Sequence, residues 1–266
     1  MMKKMKLFIV ALMSFATITA SAQFVNSSKS SSSSRTPYTT DLTGWNRLSV
    51  SFSPMKFVPD DDDLDAASLT GFSVSYEKGI SISNRLPLFV ETGVGVQYAF
   101  KTFDSDDDFG IDDTYTYGIS MQSTYSTLNL KVPVNLAYKF TFGNVSLIPY
   151  AGINLKLNLL GKNKLSVEDP DDLEIMGYDS EDEFWEDLEE SAEDYDIEFK
   201  QSMNMFDKDD AGGKKNTWKR FQMGWQIGVG LDYNKLHVGL GYTKDFMELS
   251  KKLKTSSVLV SLGYNF

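Results

Sequence analysis

The chain has 266 residues with 37 acidic against 26 basic side chains, a net charge of −11 that leaves no basic face for a phosphate backbone and excludes nucleic acid as a partner. Cysteine is absent, which excludes disulfide scaffolds, thiolate metal centres and a lipid carried on an N-terminal Cys. The apolar share of 41% is ordinary for a soluble globule, so the class has to be read from pattern.

At the start, Lys3, Lys4 and Lys6 stand ahead of an apolar run at 7–16 and the small residues Ala20, Ser21 and Ala22. That order predicts an export signal over 1–22, cut between Ala22 and Gln23. The run is shorter than the roughly 20 residues a membrane-crossing helix needs, and no later segment supplies one. Residues 23–44, with the stretch SSKSSSSSR, predict a flexible linker.

From Trp45 onward, period-two alternation recurs in eight segments, 45–53, 69–79, 88–100, 128–140, 145–158, 221–233, 236–243 and 257–266. In the sixth, Phe221, Met223, Trp225, Ile227, Val229, Leu231 and Tyr233 oppose Gln222, Gly224, Gln226, Gly228, Gly230 and Asp232. Alternation alone fits a soluble sandwich with its apolar face inward or a membrane barrel with its apolar face outward. Three features favour the barrel. Most segments are longer than the usual 5 or so residues of soluble strands and near the length that crosses a bilayer at a tilt. The links alternate: long at 54–68, 101–124 and 160–219, short at 81–87, 141–144 and 234–235, and intermediate at 246–255. Aromatics gather near strand ends, as in Trp45, Tyr98, Phe100, Tyr138, Phe140, Tyr233 and Tyr242.

A sheet in lipid has to close, because an open edge strands backbone groups without partners. The predicted fold is therefore all-β, an eight-stranded antiparallel up-and-down transmembrane β-barrel over 45–266, with long acidic external loops and both ends periplasmic. Gly on the polar faces suits a narrow interior filled by side chains. Tyr264 and Phe266, closing an alternating run, resemble the signal by which barrel-assembly machinery recognises its clients.

Two stretches, STLNLKVPVNLAYKFTFGNVSLIPYAGINLKLNL (126–159) and FQMGWQIGVGLDYNKLHVGLGYTKDFMEL (221–249), together with the final VLVSLGYNF, resemble the PorT-like outer-membrane β-barrel family of Bacteroidota. The matching positions are Pro133, Tyr138 and Phe140, then Gly224, Gly228 and Gly230, then Gly239, Gly241 and Tyr242. The resemblance spans roughly 45 to 266, without loop 160–219. It implies a location in the outer membrane of a Gram-negative bacterium, with lipid around the barrel; its motifs are scaffold motifs and carry no catalytic residue.

Charge is unevenly placed. Loops 54–68, 101–124 and 160–219 hold five, six and twenty acidic residues, 31 of the 37. Two stretches bear on calcium: DSDDDFGIDD, with Asp104, Asp106 and Asp108, and DKDDAGG, with Asp207 and Asp209. Neither completes a calcium loop: Phe109 and Tyr115 stand where the first needs Gly and Glu, and Trp218 where the second needs its bidentate acid. Solvated, mutually repelling loops are the expectation, and no cofactor is called for. Within the longest loop, Ser180 and Glu183 predict a capping box. Phe184, Leu188, Ala192, Tyr195 and Phe199 follow at helical spacing, a face that either rests on the rim or presents Phe184, Trp185 and Leu188 to a protein partner.

Inward-facing positions include Arg47, Lys131, Lys139 and Lys156 against Glu77, Glu91 and Asp232, which predicts an ion-pair network in a plugged lumen. His237 should stand opposite Asp232 across the turn Asn234-Lys235. A hydrolase needs a positioned nucleophile besides, no G-x-S-x-G occurs, and one His without Cys builds no metal cluster. The functional expectation is a non-enzymatic outer-membrane barrel whose acidic loops bind a partner or cation, or which acts in envelope assembly or secretion. A lipid-modifying outer-membrane enzyme and a soluble exported barrel are the alternatives.

Overall fold

The fold is that of a computed structural model, which describes residues 38–39, 41–60, 67–103, 121–193 and 200–266. The predicted export signal, most of the predicted linker, Asp104, Asp106 and Asp108, and Tyr195 and Phe199 of the predicted helix lie outside the described residues. Strands are β1 (Tyr38–Thr39), β2 (Trp45–Phe52), β3 (Met55–Pro59), β4 (Ser68–Ser81), β5 (Leu88–Phe103), β6 (Met121–Tyr138) and β7 (Phe140–Phe142). They continue with β8 (Val145–Val167), β9 (Ser202–Asn204), β10 (Phe221–Tyr233), β11 (Leu236–Asp245) and β12 (Leu253–Asn265). Two helices, α1 (Pro170–Met176) and α2 (Glu181–Glu193), follow β8.

All pairings are antiparallel, and the path β2–β4–β5–β6–β8–β10–β11–β12 returns to β2 through Val260↔Phe52 to Asn265↔Arg47. Closure leaves this up-and-down sheet without a free long edge, the only arrangement in which strands satisfy their backbone groups in lipid. Eight strands make the ring; β1, β3, β7 and β9 are short additions to it. β3 continues the line of β2 past a break at Ser53 and Pro54, and pairs with the same neighbours. The turns are two residues long at Gly143-Asn144 and Asn234-Lys235, where Gly143 (φ +60°) and Asn234 (φ +53°) adopt the left-handed backbone that tight hairpins use.

Burial runs opposite to that of a soluble sheet. Leu48, Val50, Val238 and Leu262 are 51–60% exposed on the outer face, while Gln97 and Gln222 are fully buried inside. Water would leave the first set exposed at a cost of hydrophobic free energy; lipid would not.

Three expectations need correction. First, the predicted loop 160–219 begins as strand, because β8 runs on to Val167 and pairs with a β6 that starts at Met121. A bulge at Leu159, where Leu128↔Leu160 is followed by Asn129↔Asn158, shifts the alternation by one. Beyond it Gly161, Asn163 and Val167 turn inward and Lys162 and Lys164 outward. The outer face has become polar there, which hides the strand from a reading based on apolar alternation. Second, the linker 23–44 is not free throughout: Tyr38 and Thr39 pair with Phe142 and Thr141. Third, α2 packs its aromatics inward: Phe184 and Trp185 are each 3% exposed, against Val167 and Leu173, with Met121, Leu165, Tyr178 and Leu188 around them. As they stand, Phe184 and Trp185 offer no surface to a partner, and Leu188 is half-buried with them.

Candidate functional site: the filled barrel interior

The inward faces build layers from one end to the other. At the short-turn end Trp45, Phe89, Ala137 and Ile148 form an apolar floor, with Trp45 and Phe89 ring centroids 4.8 Å apart. Gly79 lies under the Trp45 indole, where an added Cβ would fall 2.3 Å from the ring, so glycine admits the floor's large ring. At the long-loop end Met55, Phe57, Leu69, Ala99, Phe103, Trp218 and Leu249 form an apolar roof. Here too a glycine, Gly161, lies under a tryptophan, Trp218.

Between floor and roof the interior is charged. Arg47 is the hub: Nη1 reaches Glu77 at 3.3 Å and Glu91 at 3.4 Å, Nη2 reaches Asp232 at 3.3 Å, and Nε donates to Asn265 Oδ1 at 3.1 Å. The carboxylates find further donors, from Asn135 Nδ2 to Glu91 at 3.0 Å and from Ser75 Oγ to Glu77 at 3.1 Å. Gln226 in turn donates to Asn135 Oδ1 at 2.6 Å. His237 Nδ1 sits 2.6 Å from Asp232 Oδ1, directly across the turn as its position predicts. One guanidinium thus serves three carboxylates, and a planar fork with five donors suits that task better than a point charge.

A second group lies nearer the roof. Lys156 Nζ contacts Asp245 and donates to Thr255 Oγ1 at 2.6 Å, and Thr255 also bonds Asp245. Lys131, the cross-strand partner of Lys156, faces the same space. A cavity of about 70 Å³ separates the groups, lined by Arg47, Lys131, Asn135, Tyr150, Gln226 and His237 among others. The seventh predicted segment stops at 243 and so leaves out Asp245; carrying the alternation two residues further from Thr243 puts it inward.

Lys139 leaves the expected network. It interrupts β6 and β7, pairs with Asp41 at 2.5 Å and donates to the Thr43 carbonyl at 3.2 Å. The chain entering β2 is thereby strapped across the short-turn end, beside a vestibule of about 310 Å³ lined by Asp41, Trp45, Lys139, Asp232 and Asn265. Burial raises the Asp41 carboxyl, but the Lys139 ammonium and the Thr43 amide outweigh it and hold it below its ordinary 3.8. With the folded value the lower one, the tie contributes stability above about pH 3.8 and loses it as pH falls through the folded value. The Thr43 amide, which donates to Asp41 Oδ1 at 2.9 Å, should therefore titrate in NMR with a midpoint below 3.8. Asp41→Asn should abolish that titration; a midpoint above 3.8 in the unsubstituted chain removes the strap's charge tie.

Outside the ring, Asp169 caps α1 and Gly177 (φ +91°) ends it. Ser180 Oγ accepts the Glu183 amide at 3.2 Å, while the Glu183 carboxylate reaches back to the Asp179 amide at 2.9 Å, a capping box offset by one residue. Trp185 Nε1 donates to Glu181 at 2.8 Å, and that carboxylate also accepts the Val167 amide at 3.2 Å, which ties α2 to the end of β8. Asp182, Glu183, Glu186, Asp187 and Glu190 are left exposed. Asp207 and Asp209 occupy a compact turn, Asp207 Oδ1 accepting the Asp209 amide at 2.8 Å. Among the described residues no three acidic or histidine side chains converge on a site for an ion.

The outer membrane protein beta-barrel domain matches residues 43–249. The chain belongs to that family. No curated protein matches it. Among solved structures, the barrel is similar to Ail, the attachment invasion locus protein of Yersinia pestis, at 14% identity over 84% of this chain and 99% of that one, TM-score 0.36. Neisserial surface protein A is similar at 15% identity over 83% of this chain and 97% of its own, TM-score 0.37. The outer membrane enzyme PagL is similar at 10% identity over 81% and 98%, TM-score 0.37. Likeness at this level carries no activity from any of the three to this barrel.

Proposed function

We propose that this protein is a non-enzymatic, channel-less eight-stranded barrel of the outer membrane, PorT-like in its scaffold motifs, that holds a structured acidic cap on the cell surface for a cationic partner. The observation that carries the reading is the filled lumen: Arg47, Glu91, Lys156, Asp232 and Asp245 are all buried and mutually paired between two apolar layers. Side chains that fill an eight-stranded interior leave its walls nothing to conduct. The cap supplies the other half, because α2 buries its aromatics and turns its carboxylates to solvent. His237 fits the same reading. Its Nδ1 is committed to Asp232 Oδ1, an oxygen that Arg47 Nη2 also contacts.

Export by residues 1–22, assembly through Tyr264 and Phe266, and long loops outward are the parts of this proposal that set its orientation. A denaturing gel of the outer-membrane fraction, run with and without boiling, should show a faster unboiled band, and the reconstituted protein should add no conductance to a planar bilayer. Protease added to intact cells should cut within 168–219. A soluble periplasmic protein, or steady single-channel currents, would overturn the reading.

A further inference from the structure

The outward face of the barrel sorts charge by sign. Six charged side chains point outward from the ring strands and β3: Lys56, Lys78, Lys162, Lys164, Lys244 and Lys254. No carboxylate does, although acidic residues outnumber basic ones in the chain; Glu77, Glu91, Asp232 and Asp245 all face inward. Five of the six lysines stand at the long-loop end, and only Lys78 at the other. Lys254 is paired with Asp60 at 2.9 Å. Lys56, Lys162, Lys164 and Lys244 take part in no ion pair among the described residues.

These four border the apolar belt. Lys56 and Lys244 are the cross-strand partners of Ser256 from its two sides, so two ammonium groups straddle one serine. Tyr242 and Val258 lie two residues deeper on the same face, and Trp225 flanks Lys244. Lys162 and Lys164 follow the exposed Leu159 and Leu160 on β8. A lysine in that position lays its stem on lipid and lifts its charge to the depth at which headgroup phosphates lie.

We propose that this lysine rim binds the phosphate groups of an anionic lipid in the leaflet around the long-loop end. The inference rests on the membrane-barrel reading and supplies the ligand class of its rim. Charge complementarity selects the occupant: strands that turn every carboxylate inward and keep, among the described residues, four ammonium groups without an ion pair at the edge of an apolar belt match an acyl chain joined to a phosphate.

The test takes the full chain refolded in neutral detergent and uses native mass spectrometry with phosphorylated lipid A and its dephosphorylated form. The phosphorylated lipid should remain bound and the dephosphorylated form should leave. The combined Lys56→Gln, Lys162→Gln, Lys164→Gln and Lys244→Gln variant should bind on the order of tenfold more weakly or worse. Lys78→Gln, at the opposite end, should change nothing, and arginine at all four positions should preserve binding. Equal retention of both lipids, equal retention by the glutamine variant, or loss of binding in the arginine variant overturns the proposal. Displacement by millimolar inorganic phosphate would make the rim a small-anion site and also overturn it. The unboiled gel shift of the unsubstituted chain separates the two readings: if it persists while lipid selectivity fails, only the lipid assignment falls.

Discussion

Arg47→Leu is expected to abolish the compact unboiled form of the barrel. Glu91 and Asp232 are almost fully buried and Glu77 largely so, and all three lean on this one guanidinium. Without it, Asn135, His237 and Ser75 remain as neighbours, none of them a permanent cation. Breaking a buried ion pair from one side costs about 3–5 kcal/mol, because the surviving charge stays out of water uncompensated. Set against a typical stability of about 5–15 kcal/mol, that is enough to empty the folded state under mild denaturant. The loss comes from stranded charge, so adding Glu91→Gln and Asp232→Asn to Arg47→Leu should recover most of the urea midpoint of the refolded protein. A single Arg47→Leu variant with an unchanged midpoint would show that the hub stabilises nothing. Arg47→Lys should fall between, since an ammonium cannot span three carboxylates with a fork.

Trp218→Ala is expected to act locally. The indole is 6% exposed, meets the Phe57 ring at 5.6 Å and the Phe206 ring at 6.3 Å, and rests on Gly161. Its backbone amide donates to the Met205 carbonyl at 2.7 Å, so the same residue joins the incoming chain to the turn that covers the roof. Removing a large buried aromatic costs about 3–5 kcal/mol, here charged to the docking of 200–219 and not to the ring hydrogen bonds. Protease should then cut 200–219 on the order of 100-fold faster in the reconstituted protein, while the unboiled band still migrates fast. Cleavage at the native rate would mean that the roof is held without Trp218; loss of the fast band would mean that roof and ring unfold as one unit.

Much of this was legible in the chain. The ring strands follow the predicted segments to within a few residues wherever the outer face is apolar, and the turn at Asn234-Lys235 places His237 opposite Asp232 because a two-residue hairpin admits one register. The reading failed where an outer face changed solvent. Along β8 beyond Leu159 the outward residues are Lys162 and Lys164, so the apolar signal stops while the hydrogen bonds continue. It also failed for Lys139, whose parity aimed it inward, but which sits at an interruption of the strand and turns to Asp41. Phe184 was legible as apolar and as helical; that its partners are Val167 and Leu173 required the extended β8 to be known first.

By itself the sequence determined which residues of a regular strand share a face, because side-chain direction alternates with every residue; which face turns inward, and where the bulge at Leu159 and the interruption at Lys139 reset the alternation, it did not. The predicted export signal and the clustering of acidic residues are likewise read from local order along the chain. Only the tertiary structure decided which inward residues meet. Arg47 finds Glu77 at a separation of 30 residues and Asp232 at a separation of 185, and Lys156 finds Asp245 at 89. Those meetings are set by the closure of β12 onto β2 and by the stagger of each strand against the next, quantities that belong to the ring as a whole and leave no mark in any single segment.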